Sequence, residues 1–264
     1  MVPTSSLLVM VLNLILGFAV PILLACWMVR KYDAKWSTIL IGAATFFVFA
    51  LVLEAIVHRI VLKGSFGETI QGNIWYLALY GGLMAGLFEE TGRFLSMKYL
   101  LKKEPSTVVP GLAYGIGHGG AEMAIIFGLS MVSYLAIAVM ANAGQMDTLL
   151  SQTPADARDQ VNATVTAITE TRPGTLLLGL WERISALILH LSLSVLVWTA
   201  VRRGGKWLWL FPAAILLHAL IDSVAVLLKD DVNMAVLELL VFVMSLAIAA
   251  IAFMVAKKHT TNMN

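Results

Sequence analysis

The chain is predicted to be all-α, a polytopic membrane helix bundle of about seven transmembrane helices, and three observations predict it. Of its 264 residues 59% are apolar and only 13% are charged, and its mean hydropathy of +0.86 suits a protein whose solvent is largely lipid. Apolar windows of about 20 residues, the length that crosses a hydrocarbon core, recur along the chain. Lys and Arg gather in alternate connections, as positive residues do on the cytoplasmic side of a membrane.

The spans are placed at Leu7 to Val29, Ser37 to Val61, Ile74 to Leu101, Thr107 to Ala141, Thr175 to Val201, Trp207 to Leu228 and Asn233 to Ala256. The fourth is too long for one straight crossing, so it is tilted, broken near the glycines around His118, or extended past the bilayer. Arg30, Lys31 and Lys35 follow the first span, Lys98, Lys102 and Lys103 the third, Arg202, Arg203 and Lys206 the fifth, and Lys257 and Lys258 the seventh. Seven crossings put all four groups on one side. The N-terminus is then outside and the C-terminus cytoplasmic.

The connections and termini add little chemistry. Leu23-Leu24-Ala25-Cys26 has the form of a lipoprotein cleavage box, but the positive residues follow the apolar run instead of preceding it, which favours an uncleaved first helix. A lone Cys26 excludes an intramolecular disulfide and a cysteine-rich zinc site. The net charge of +2 is uninformative, and without a basic tract or nucleic-acid motif no nucleic-acid partner is expected. The outer loop, about residues 142–174, is acidic through Asp147, Asp156, Asp159 and Glu170. Leu149, Leu150, Val161, Val165 and Ile168 make part of it either a short amphipathic helix or a solvated connector. Asn162-Ala163-Thr164 is a sequon that matters only in a glycosylating host. No repeat or second domain is evident, so residues 1–264 read as one helical membrane domain.

Ionisable groups inside the apolar spans are the functional signal. An Asp or Arg at the centre of a membrane helix costs roughly 2.5 to 3.5 kcal/mol on insertion scales, so such groups face one another, a metal or water. Glu89, His118, His190 and His218 each lie about 11 or 12 residues from the Lys/Arg-marked end of their spans, some 16 to 18 Å deep at the helical rise. That is close to the midplane of a core about 30 Å thick. His118 and Glu122, and likewise His218 and Asp222, are four residues apart and share a helical face. Either carboxylate serves as a metal ligand or fixes the imidazole from behind. Glu89 and Arg93 are also four apart, which lets Arg93 neutralise Glu89 and leave Glu90 free. Gly82 and Gly86, and Gly111, Gly115 and Gly119, form small-residue faces for close helix packing; the glycines around His118 alternatively unwind to line a cavity. Glu54 with His58 reads as a local ion pair, and Glu182, Arg183 and Glu238 as interfacial or structural groups. His259 falls in a polar tail, and Trp207 and Trp209 anchor the cytoplasmic interface.

Glu89-Glu90-x-x-Arg93, Tyr114-x-x-x-His118 and His218-x-x-x-Asp222 resemble the motifs of the CAAX-protease and bacteriocin-processing superfamily of intramembrane proteases and its PrsW-like relatives. The Gly117-His118-Gly119-Gly120-x-Glu122 segment, with His190 on the next helix, is most similar to the bacterial YhfC group of intramembrane metalloproteases. The resemblance covers roughly Gly81 to Leu228. Arg93 stands one residue sooner than in the CAAX-processing enzymes, and Tyr114 replaces their usual Phe, so no prenylated substrate is carried over.

This resemblance implies a multi-pass protein of the bacterial plasma membrane that hydrolyses a membrane-embedded or membrane-associated protein or peptide. His118, His190 and His218 are the expected ligands of a divalent ion, zinc by its affinity for imidazole, with Glu122 and Asp222 as further ligands or orienting groups. Glu89 or Glu90 is the expected general base, with Arg93 beside them. Three other readings stay open: a metal-free glutamate protease, a proton- or ion-coupled transporter, and a dihaem cytochrome. Oligomeric state is not legible.

Overall fold

In a computed structural model, the structure describes residues 1–261. For Asp147, Leu149, Gln152, Asp156 and residues 258–261 the backbone alone is described, so the roles expected of Asp147, Leu149, Asp156, Lys258 and His259 lie outside the described side chains. The described residues are helical without strands.

We number the helices α1 (Thr4–Tyr32), α2 (Trp36–Lys63), α3 (Gly67–Gln71), α4 (Ile74–Leu95), α5 (Val109–Asn142), α6 (Met146–Gln152), α7 (Arg158–Thr169), α8 (Pro173–Arg203), α9 (Leu210–Leu228) and α10 (Met234–Thr261). Among the described residues six helices, α1, α2, α5, α8, α9 with its preceding turn, and α10, are long and apolar enough to cross a membrane. The expected third span is a helix over α4, continued by a wide π turn at Ser96–Leu100. It is not among the six, because Glu89, Glu90 and Arg93 dilute its apolar run.

Local chemistry sets the ends. Asn73 caps α4 by accepting from the backbone N–H groups of Trp75 and Tyr76. Pro110 and Pro173 sit in the first turns of α5 and α8, where a missing N–H costs nothing. Gly204 and Gly205, with φ of 61° and 54°, make the tight link from α8 toward α9 that a residue with a Cβ would strain. The glycines around His118 stay helical: α5 is continuous through them, and its backbone widens into a π turn only at Met123–Gly128, directly after Glu122. A third wide turn ends at Glu54 in α2. π turns of this kind are frequent at functional sites.

Small residues do bring the site-bearing helices together. A Cβ on Gly82 would lie 2.4 Å from the Ala219 carbonyl oxygen, and one on Gly86 2.6 Å from that of Ile215, so α4 and α9 touch backbone to backbone, running antiparallel. On α5, a Cβ at Gly111, Gly115 or Gly119 would meet Trp198, Ser194 or His190 of α8 at 2.9 Å. α8 is the most enclosed span, and Leu193, Leu196, Val197 and Trp198 form the centre of the largest apolar cluster.

The two ends of the bundle are tied differently. At one, Lys35 pairs with Glu104 at 2.8 Å, and Arg202 donates to the carbonyls of Lys102 and Glu104 and to the Ser106 hydroxyl. At the other, Asn142 bonds the backbone of Val2, and Ser6 donates to the Thr171 carbonyl. The outer loop forms two short helices, α6 and α7, and Ile168 of α7 is buried against the cluster containing Val2 and Ala138. This favours the amphipathic reading over the solvated connector, since one face of α7 is covered.

Candidate metal centre

Four helices deliver the ionisable groups to one place. α4 supplies Glu89, Glu90 and Arg93, α5 supplies His118 and Glu122, α8 supplies His190, and α9 supplies His218 and Asp222. Glu89, Glu90, Arg93 and the three imidazoles are at most 7% exposed. His118 and His190 have ring centroids 5.1 Å apart, and His190 and His218 5.3 Å.

Glu89 is the hub. Its Oε2 lies 2.8 Å from His118 Nε2 and 3.8 Å from His190 Nδ1. Glu90 points elsewhere: it accepts from Arg93 Nη1 and, at 2.9 Å, from His218 Nδ1. The expected pairing of Arg93 with Glu89 is therefore corrected. Arg93 takes Glu90, three residues back, because His118 of the neighbouring helix has claimed Glu89. Glu90 and Arg93 are both fully buried, and removing one partner of such a pair typically costs about 3 to 5 kcal/mol because the other charge is left uncompensated.

Of the other two helical pairings, one rearranges and one holds. Glu122 turns away from His118 and contacts His190 Nε2, while its second oxygen accepts from Arg183 Nη1 at 2.8 Å. His218 Nε2 faces Asp222 at 3.6 Å. Partner chemistry assigns the tautomers. A guanidinium only donates, so His190 Nδ1, 3.1 Å from Arg93 Nη2, is the acceptor and Nε2 carries the proton toward Glu122. The Arg-paired carboxylate of Glu90 accepts, so His218 Nδ1 carries a proton and Nε2 faces the cavity side beside Asp222.

That cavity has a volume of 120 Å³ and is lined by Glu89, Glu122, His190, His218 and Asp222. Three further lining residues, Glu182, Arg183 and Glu238, were not among the expected site groups. Counting depth from the Lys/Arg end set them aside as too close to the opposite end. The signal that finds them is Arg183 itself, a cation in an apolar run that needs carboxylate partners from another helix. Glu54 remains as expected, bonded to His58 at 3.1 Å, with Tyr80 on the other imidazole nitrogen at 2.9 Å.

The model of the YhfC intramembrane metalloprotease family matches residues 16–241. The chain belongs to that family. It is 38% identical over 245 residues, 91% of this chain and 93% of the relative, to a protein of Bacillus subtilis (strain 168) named "Uncharacterized membrane protein YhfC". No solved structure matches. With its six apolar helices, this YhfC-family chain is an integral multi-pass membrane protein.

The donor set of this YhfC-family site fits a divalent ion. Glu89, His118 and His190 each offer a ligand atom within 4.8 Å of the others, and all three are buried. Two ligands of a tetrahedral zinc, each at about 2.0 to 2.1 Å, stand roughly 3.3 Å apart, comparable to the 2.8 Å between Glu89 and His118. Charge points the same way. Besides the imidazoles, the cations paired with Glu89, Glu90, Glu122 and Asp222 among the described residues are Arg93 and Arg183, a carboxylate excess that protons or a cation must neutralise where the groups are buried. His218 stands beside this group, outside its tight core.

Proposed function

We propose that the protein is an intramembrane metallopeptidase in which Glu89, His118 and His190 hold a divalent ion, zinc by donor chemistry, against a membrane-embedded or membrane-associated polypeptide. The observation that carries this reading is the buried Glu–His–His group beside a cavity also lined by the His218–Asp222 pair. Such an ion, with an open position, polarises a peptide carbonyl and acidifies water. Everything else is done by the chain. His218, oriented by the Glu90–Arg93 pair, takes the proton of a cavity water through Nε2, and Asp222 stabilises the imidazolium that results. Glu122, itself held by Arg183, fixes His190 from behind. Coordination through His190 Nδ1 requires Arg93 to give up its hydrogen bond there.

That hydrogen bond favours a second reading, a metal-free glutamate peptidase in which Glu89 is the base and His118 and Arg93 donate to the developing oxyanion. Purified protein separates the two. About one divalent ion per chain, with cleavage of a membrane-protein substrate abolished by a chelator and restored by the ion, is the expected result. Chelator-insensitive cleavage by ion-free protein selects the metal-free reading.

The proposal includes a topology of seven crossings with an outside N-terminus, because the connections bearing Lys35, Lys102 and Arg202 gather at one end of the bundle. A fluorescent reporter fused after Asn264 is expected to mature in the cytoplasm. A C-terminal alkaline phosphatase fusion active outside would overturn that assignment.

A further inference from the structure

Two cavities share one ion pair as their common wall. The inner one, 120 Å³, holds the candidate metal centre. The outer, 320 Å³, lies toward the end of the bundle that carries the N-terminus and is lined by Ser130, Tyr134, Thr171 and Thr175, among others. Glu182 and Arg183 line both. Arg183 grips Glu182 through two donors and Glu122 of the neighbouring helix through a third, at 2.8 Å, with its side chain 17% exposed. At about 30 Å³ per molecule in the liquid, the inner cavity admits a few waters and no polypeptide segment.

We propose that the Arg183 ion-pair bridge is a gate, and that water and the substrate segment reach the metal centre from the N-terminal end of the bundle through the outer cavity when Arg183 releases Glu122. The bridge is suited to this. It closes α8 onto α5 with one long flexible cation that also holds Glu182 on its own helix, so opening breaks one contact, leaves Arg183 paired with Glu182 and leaves Glu122 bonded to His190. The same release frees Glu122, which bonds His190, so access and the alignment of His190 are coupled. The outer cavity mixes hydroxyls with Ile126, Phe127 and Met131, a lining for an extended segment with alternating polar backbone and apolar side chains. The substrate part of this inference rests on the peptidase reading; the access route does not.

The test reads access directly and needs no proteolysis. In a Cys26→Ala background, cysteine is placed in the outer cavity (Ser130→Cys) or the inner one (Ala186→Cys), and labelling by a membrane-impermeant methanethiosulfonate is timed from each side of sealed vesicles. The expected result is fast labelling of Ser130→Cys and slow labelling of Ala186→Cys, both from the N-terminal side. Adding Arg183→Gln is expected to accelerate Ala186→Cys by roughly tenfold or more, as removal of a conformational barrier would, with Arg183→Lys restoring slow labelling. The gate is overturned if Arg183→Gln leaves the Ala186→Cys rate unchanged, or if that site labels from the opposite side. It is equally overturned if Ser130→Cys accelerates as much, which would mean a general loosening. Failure of chelator-sensitive cleavage alone would leave these rates untouched.

Discussion

Glu89→Gln and His118→Ala are each expected to lose the bound divalent ion and peptide cleavage together. Both residues belong to the buried donor group, and among the described residues Glu89 is the carboxylate that contacts both His118 and His190. Gln keeps the shape of Glu89 and still accepts from His118, so the fold should persist while the charge that holds a cation is gone. His118→Ala also removes a ring packed against Phe46 and Tyr114, with centroids 5.4 and 5.9 Å away, so it carries an added packing cost of about 3 kcal/mol. Cleavage should fall by more than about a hundredfold, because losing even a group that merely orients a ligand costs roughly ten- to hundredfold. Metal analysis by mass spectrometry beside turnover of a reconstituted substrate is the measurement. Full metal content and turnover in both variants would sink the proposed centre.

His218→Asn is expected to behave oppositely, retaining the ion and losing cleavage by roughly a hundredfold or more, the usual scale of a general base. An Asn amide stands about where Nδ1–H donates to Glu90, so the Glu90–Arg93 pair keeps its partner, while no group remains to accept a proton beside Asp222. The pair of results also assigns roles. If His218→Asn lost the ion and Glu89→Gln kept it, the ligands would be the three histidines, with Glu89 as the base, one of the two choices, Glu89 or Glu90, that the sequence reading left open.

Much of the architecture was legible because it depends on length and polarity. Helix positions agree within a few residues: Leu7 to Val29 became Thr4–Tyr32, and Thr175 to Val201 became Pro173–Arg203. The exception is instructive. The expected third span is helical, but it is the least apolar of the set because it carries Glu89, Glu90 and Arg93, so the residues that make it a candidate site also weaken it as a span.

Depth counting named the groups that meet, since 1.5 Å per residue converts position into level once the helices stand roughly parallel. Rotation was another matter. Helical spacing allows Arg93 to reach Glu89 or Glu90, and Glu122 to serve His118, and it does not say which neighbour lies across the gap. Packing of α4 on α9 sent Glu90 to His218; packing of α5 on α8 sent Glu122 to His190 and drew Arg183 into the site. Sequence by itself determined the membrane class, the helices and the level at which polar groups gather, because those follow from composition and rise per residue. Only the tertiary structure decided which charges pair across helices, because in hydrocarbon a charge bonds the nearest compensating group, and which group is nearest depends on how whole helices turn and dock.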